Sequence, residues 1–229
     1  MLDLKSVDIN VTPEMNEKLE RYMDEILKFN ESINLTAIRD RDEFITKHIV
    51  DSLIFADLPC IKEASKVIDA GTGAGFPGIP LAIVYPDKEF VLLDSLAKKL
   101  KIIDDLSEEL GIENVRTLHM RAEDAGHDAN HREKYDACVT RALAPLPVLA
   151  EYTLPLIKPG GHLVAYKGPQ YEEELKSAER AIELLGGELA SIEQSGSDET
   201  KHVALDIVKI RPTPDKYPRK AGTPSKKPL

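Results

Sequence analysis

Residues 67–78 read V-I-D-A-G-T-G-A-G-F-P-G. Two β-branched residues lead into Asp69, the signature of a short buried strand. Gly71, Gly73 and Gly75 then let the backbone turn tightly and approach a ligand without side-chain clash. A helix is expected to start near Gly78. In an open α/β sheet, a strand–loop–helix unit of this kind sets its ligand at the carboxyl ends of the strands.

The surrounding chain fits that unit. Short apolar runs at Val67–Asp69, Phe90–Asp94, Val115–His119, Ala137–Thr140 and His162–Tyr166 alternate with helical patterns, the clearest being Ser95–Leu110 and Leu146–Ile157. Such alternation predicts a parallel sheet with helices on its faces. After a helical stretch at Tyr171–Leu185, the runs Glu188–Glu193 and His202–Ile210 are close enough to pair as an antiparallel hairpin at one edge. Upstream, Thr12 with Pro13 opens a helix. Its buried stripe is Met15, Leu19, Tyr22, Ile26 and Phe29. Asp40 with Glu43 resembles a capping box for a second helix that runs to about Phe55. The expected fold is α/β: an open, doubly wound, mostly parallel sheet with an antiparallel edge hairpin and an N-terminal helical extension. Residues 1–62 are expected to form the extension, 63–211 the core, and 212–229 a basic, proline-rich tail.

Composition narrows the classes. Cys60 and Cys138 are the only cysteines among 229 residues, so no disulfide framework is expected. No apolar stretch approaches the ~18 residues of a membrane span. MLDLKSVDIN lacks the basic-then-apolar pattern of a secretory leader. A cytoplasmic protein with no membrane partner is expected. The net charge of −10 argues against a nucleic-acid binder, but its distribution does not. Lys209–Leu229 holds seven Lys or Arg against one Asp, a net of +6, which leaves −16 on the remainder. With five prolines from Pro212 onward, the tail is expected to be extended. It reads either as a solvated terminus, as an arm for phosphates, or as a segment that docks on the acidic body.

Two ligands fit the loop. Gly73, Gly75 and Gly78 match G-x-G-x-x-G, and Asp94 ends the next strand, where dinucleotide folds hold a ribose. S-adenosylmethionine presents the same ribose. Asp69 precedes the glycines and can meet the cationic amino end of a methionine moiety, directly or through water. Phe76 and Pro77 fill positions that a pyrophosphate would need to approach. Purely parallel dinucleotide sheets also lack the edge hairpin. These features favour a sheet of the S-adenosylmethionine-dependent methyltransferase type over a dinucleotide-dependent oxidoreductase. Asp94 is expected to accept from both ribose hydroxyls, at about 1.5–3 kcal/mol per charge-assisted bond. Ser95 would reach the adenine side, and Ala122 and Glu123 would flank the ring.

D-A-G-T-G-A-G-F-P-G-I-P-L-A-I at 69–83 resembles the glucose-inhibited division protein B (RsmG) family of 16S rRNA guanine-N7 methyltransferases. So do N-L-T-A-I at 34–38, K-H-I-V-D-S-L at 47–53, L-L-D-S-L-A-K-K at 92–99, T-R-A-L-A at 140–144 and K-Y-P-R-K-A-G-T-P at 216–224. The segments occur in the family's order over nearly the whole chain. One departure is Phe29-Asn30, where many relatives carry Trp-Asn. The resemblance implies S-adenosylmethionine as cofactor, with contacts from Gly71, Phe76, Ala122, Glu123 and Arg141. It also implies 16S rRNA or the small ribosomal subunit as substrate.

Guanine N7 carries an in-plane lone pair and no proton, so no catalytic base is assigned. Alignment does most of the work. Arg141 could bridge cofactor and RNA. His48 and Asp51 either face the site or pack the extension on the core. Lys167 and Arg219 are candidate phosphate contacts, and Asn34 caps a turn or touches RNA. Local basic surface is expected from Lys98, Lys99, Lys101 and the tail. His119, His127 and His131 are read as bystanders, and no spacing suggests a metal. A non-catalytic RNA-binding assembly factor that kept the loop as scaffold remains an alternative.

Overall fold

The computed structural model describes residues 2–31, 33, 35–196 and 202–229. Thr12 caps α1 (Pro13–Asn30), its Oγ1 accepting from the Met15 N–H at 3.3 Å. Leu19, Tyr22, Met23 and Ile26 form the buried stripe. Asp40 caps α2 (Arg41–Phe44), accepting from the Glu43 N–H at 2.9 Å. The return bond of a capping box is replaced by an ion pair, because Glu43 meets Lys47 one turn on at 2.6 Å. The helix then widens into a π-helical segment, Ile45–Val50, and closes as α3 (Asp51–Leu53), short of the expected Phe55. A π turn rotates the side chains that follow it, and such turns gather at functional sites. α4 (Pro59–Lys62) leads to the sheet.

The strands are β1 (Lys66–Ala70), β2 (Glu89–Asp94), β3 (Val115–His119), β4 (Tyr135–Arg141), β5 (Ile157–Lys167), β6 (Gly187–Ser195) and β7 (His202–Lys209), in the order β3-β2-β1-β4-β5-β7-β6. The first five are parallel, and β7 is antiparallel to both β5 and β6. Only a short link joins β6 to β7, too short for the crossover that a parallel pair needs. The order reverses between β1 and β4, so the crevice opens above their carboxyl ends.

Alternating residues divide two cores, as a pleated strand requires. Val67, Phe90, Leu92, Val139 and Val164 pack with α1, α5 (Gly78–Val84) and α6 (Ala97–Glu109). Ile68, Val91, Leu93, Cys138 and Leu163 pack with α8 (Leu146–Thr153), its short 3-10 continuation Leu154–Leu156, and α9 (Tyr171–Leu184). α7 (Ala122–Ala125) follows β3 at the crevice.

The tail departs from the extended form expected of it. It folds back on the second core, where Tyr217 is buried, and ends in α10 (Thr223–Lys226). Its backbone carbonyls need partners near the body. Arg132 donates to the carbonyls of Tyr217 at 2.8 Å and Thr213 at 2.7 Å. His127, read from the sequence as a bystander, bonds the Pro218 carbonyl at 2.6 Å. Lys209 is fully buried against Glu133 and two carbonyls, and burial pushes its ammonium down to about 8. The acidic body and the basic tail therefore neutralise each other in part.

Candidate active site

Gly71, Gly73 and Gly75 have φ of +73°, +60° and +88°, a region that side chains rarely adopt. They do different jobs. A Cβ on Gly71 would lie 2.5 Å from Leu143, while one on Gly73 would meet nothing nearer than the Gly71 carbonyl at 4.0 Å. Gly75, expected to face the ligand, is buried on the far side, and its Cβ would strike the Tyr22 hydroxyl at 2.4 Å. That hydroxyl donates to the Ala74 carbonyl at 2.9 Å, so α1 holds the loop from beneath. Gly75→Ala is expected to cost at least about 2 kcal/mol in urea unfolding, from backbone strain and from displacing Tyr22.

Asp69 also departs from the direct ligand contact expected of it. It lies wholly buried below the loop and is not among the residues that line the cavity above it. Its Oδ2 accepts from Thr72 Oγ1 at 2.7 Å and from the Gly78 N–H at 2.8 Å, while Oδ1 has no partner. Burial raises this carboxyl to about 6 despite those bonds. Asp69 therefore shapes the turn and the start of α5 rather than meeting a ligand directly. The cause is the pleat, which aims residue 69 at the first core.

A cavity of about 510 Å³ opens over the loop, within the range of cofactor sites. Gly71, Gly73, Phe76, Asp94, Ser95, Ala122, Glu123 and Arg141 all line it. Asp94 accepts from the Gly73 N–H at 3.0 Å with one oxygen and from the Leu96 N–H at 2.9 Å with the other. A carboxylate has about four acceptor sites, so each oxygen keeps capacity for a diol. The buried Glu123 takes the Gly222 N–H at 2.9 Å, which ties the tail to this wall. Sequence reading missed Leu93, Met120 and Tyr152 on the same walls, since apolar spacing marks them only as core. The Asp94 acceptors and the open glycine backbone fit the ribose and ring of an adenosyl ligand.

Arg141 ends β4 and joins the extension to the sheet. Its guanidinium pairs with Asp51, donates to the Lys47 carbonyl at 2.9 Å and to His48 Nδ1 at 2.9 Å, and lies 5.8 Å from the Phe76 ring centre. His48 stacks on Phe76 with centroids 4.7 Å apart. An Nδ1 that accepts from Arg141 leaves the proton on Nε2, which sits 2.7 Å from Thr36 Oγ1. Asp51 also receives His202 Nδ1 at 2.8 Å. Burial works to raise the Asp51 carboxyl, but His202 and Arg141 outweigh it and hold it low. The π-helical segment presents Lys47 and His48 to Arg141, with Asp51 immediately after it.

Burial, and then the Arg141 charge, press His48 down to about 4. The unfolded chain binds this proton near 6.5. His48 stability is therefore complete above pH 6.5 and is lost as the pH falls toward 4, by at most about 3 kcal/mol. Asp69, raised to about 6, changes in the opposite sense over much of that window. The difference between wild type and His48→Gln isolates the first effect. The variant should show a shallower loss of unfolding free energy between pH 6.5 and 4.

A second cavity of about 610 Å³ shares the wall Arg141–Ala142–Leu143 with the first. Ala142 has φ +54° there, a strained value for a residue with a Cβ. Asp51, His202, Lys167 and Glu174 face this second space. Lys167 is not free, since its Nζ donates to Glu174 at 2.7 Å and to the Ala144 carbonyl at 3.1 Å. Arg219 lies elsewhere, gripping the buried Glu151 through Nε at 2.9 Å and Nη2 at 2.6 Å. Asn34 lies outside the described residues.

Comparison with known proteins agrees with the geometry. A family model described as rRNA small subunit methyltransferase G matches residues 15–204. The chain is 48% identical to the ribosomal RNA small subunit methyltransferase G of Alkaliphilus metalliredigens, over 93% of this chain and 90% of that one. It is 44% identical to the protein of the same name from Clostridium novyi, over 98% and 93%. Among solved structures, a SAM-dependent methyltransferase from Aquifex aeolicus superposes with a TM-score of 0.56 at 17% identity, covering 82% of this chain and 98% of that one. The Methanococcus jannaschii fibrillarin pre-rRNA processing protein gives 0.55 at 18% identity, covering 71% and 74%. The fold is thus shared with these solved structures, and the chain belongs to the rRNA small subunit methyltransferase G family.

Proposed function

We propose that this chain methylates guanine N7 in the RNA of the small ribosomal subunit, with S-adenosylmethionine as methyl donor. The observation that carries the reading is the pair of cavities meeting across Arg141–Leu143. The first offers a glycine loop, the Asp94 carboxylate and the Glu123 wall for an adenosyl group. The second is large enough for a base turned out of its stack. When bound, the cofactor supplies a sulfonium-activated methyl group to an in-plane lone pair. Phe76, His48 and Arg141 fix the boundary between the two spaces and so set orientation. No side chain is required to remove a proton, which suits a wall whose one histidine is neutral and tied at both nitrogens. Asp51 and the Ala144 carbonyl stand on the second cavity, where positive charge would grow on the methylated base.

Exposed Lys98, Lys216, Lys220, Lys226 and Lys227, with Lys99 on the cavity wall, are the candidate phosphate contacts. Lys101 is engaged with Asp105 at 3.0 Å. The test is incubation with labelled S-adenosylmethionine and either free rRNA or assembled small subunits, followed by mapping of the modified base. Label on guanine N7 is expected. Cofactor binding without transfer to either substrate would overturn the enzyme reading and favour an assembly factor. Label on another atom would overturn the base-free mechanism.

A further inference from the structure

At the opposite end of the sheet lies a group of side chains that the reaction does not use. Cys60 comes from α4, His162 from β5 and Asp206 from β7. One ligand atom from each lies within 4.8 Å of the other two. His162 Nδ1 is 2.7 Å from Asp206 Oδ1, and burial, with the Asp206 carboxylate nearby, pushes the Cys60 thiol up. All three are half-buried, with the His162 and Asp206 side chains 26% and 13% exposed. In the sheet register His162 pairs with Ala137, whereas Arg141 pairs with Tyr166. Four residues along a strand put about 13 Å between the group and the crevice.

We propose that Cys60, His162 and Asp206 form a structural site for a divalent cation of the zinc class. Thiolate, imidazole and carboxylate are the three donor types that zinc accepts, and three protein ligands leave a fourth tetrahedral position for water. Magnesium and calcium fit the group poorly, because they prefer all-oxygen sets. Binding releases the Cys60 proton to solvent as the thiolate forms. The 2.7 Å contact between His162 and Asp206 is shorter than the separation of two ligands on one tetrahedral ion, so that pair would open slightly as the ion enters. The cation would pin α4, where the N-terminal helices join the sheet, to the β5–β7 pair. No sequence spacing announces the group, because α4 precedes the sheet and 44 residues separate His162 from Asp206.

The experiment uses the full, tag-free chain. Equilibrium dialysis against zinc should load one ion per chain, and Cys60→Ser and His162→Gln should each bind at least about 100-fold more weakly. Zinc should raise the melting temperature of wild type and leave that of Cys60→Ser unmoved. Cobalt should give wild type a thiolate-to-metal absorption band, a readout that needs no variant to fold. Absence of the band, no zinc uptake by wild type, or equal uptake by a folded Cys60→Ser would each overturn the site. Since the group is remote from the crevice, loss of the ion should leave cofactor binding intact, which separates this outcome from failure of the methyltransferase reading.

Discussion

Arg219→Ala should lose about 3 kcal/mol of unfolding free energy, the largest stability effect expected of any single charge in the tail. Glu151 is fully buried, and three of its four bonds come from the Arg219 guanidinium. Removing that fork leaves an uncompensated charge in the interior. The loss falls at the lower end of the 3–5 kcal/mol range because the backbone N–H of residue 219 stays on Glu151 at 2.7 Å. For a chain of this size the melting temperature should drop by roughly 6–12 °C. Arg219→Lys keeps the charge but not the planar fork, so it should fall between. Cofactor affinity should weaken as well, since the tail also supplies the Gly222 N–H to Glu123. Urea unfolding and calorimetric cofactor titration check both. An unchanged unfolding midpoint, with the salt slope of RNA binding lowered by about one, would instead make Arg219 a phosphate contact. Deleting Pro212–Leu229 would be a blunter test, because it removes the exposed lysines and the docking contacts together.

Arg141→Ala should lower kcat/KM for methyl transfer at least about 100-fold, or about 2.7 kcal/mol. One guanidinium fixes the Lys47 carbonyl, His48 and Asp51 and faces Phe76. Without it, the wall between the two cavities loses its common anchor. The planar fork matters, so Arg141→Lys should recover only part of the rate, since an ammonium is a point donor and cannot hold three directions at once. Cofactor affinity should fall less than the rate, because the Asp94 and Gly73 contacts remain. Wild-type turnover by a folded Arg141→Ala protein would remove Arg141 from the candidate machinery.

The strands and most helices were legible because their patterns are local. A parallel sheet buried on both faces needs apolar runs, and its crossovers need amphipathic helices, so each element carries its own signal. That several candidate residues share one cavity was legible for the same reason. Gly73, Asp94, Ser95 and Glu123 each stand at a strand end or just after one, where the fold class directs ligands. Directions within the wall were not. Asp69 and Gly75 sit inside the glycine segment, yet the pleat and the contact with Tyr22 turn them away from the cavity. Docking of the tail was one of three readings of its charge, and composition could not select it because it does not show that Glu133, Glu151 and Glu123 line up to receive the tail.

The glycine segment, the alternation around it and the capping residues determined by themselves an open α/β sheet and the end of it that holds a ligand. Those features act over one or two turns of chain, where sequence neighbours are also spatial neighbours. Tertiary structure decided what was left: which carboxylates line the cavity, that Arg141 joins His48 and Asp51, that the basic tail is partly neutralised on the body, and that Cys60 meets His162 and Asp206. Each of those contacts joins residues far apart in the chain. Their energies depend on burial and on the partner's position, which only packing supplies.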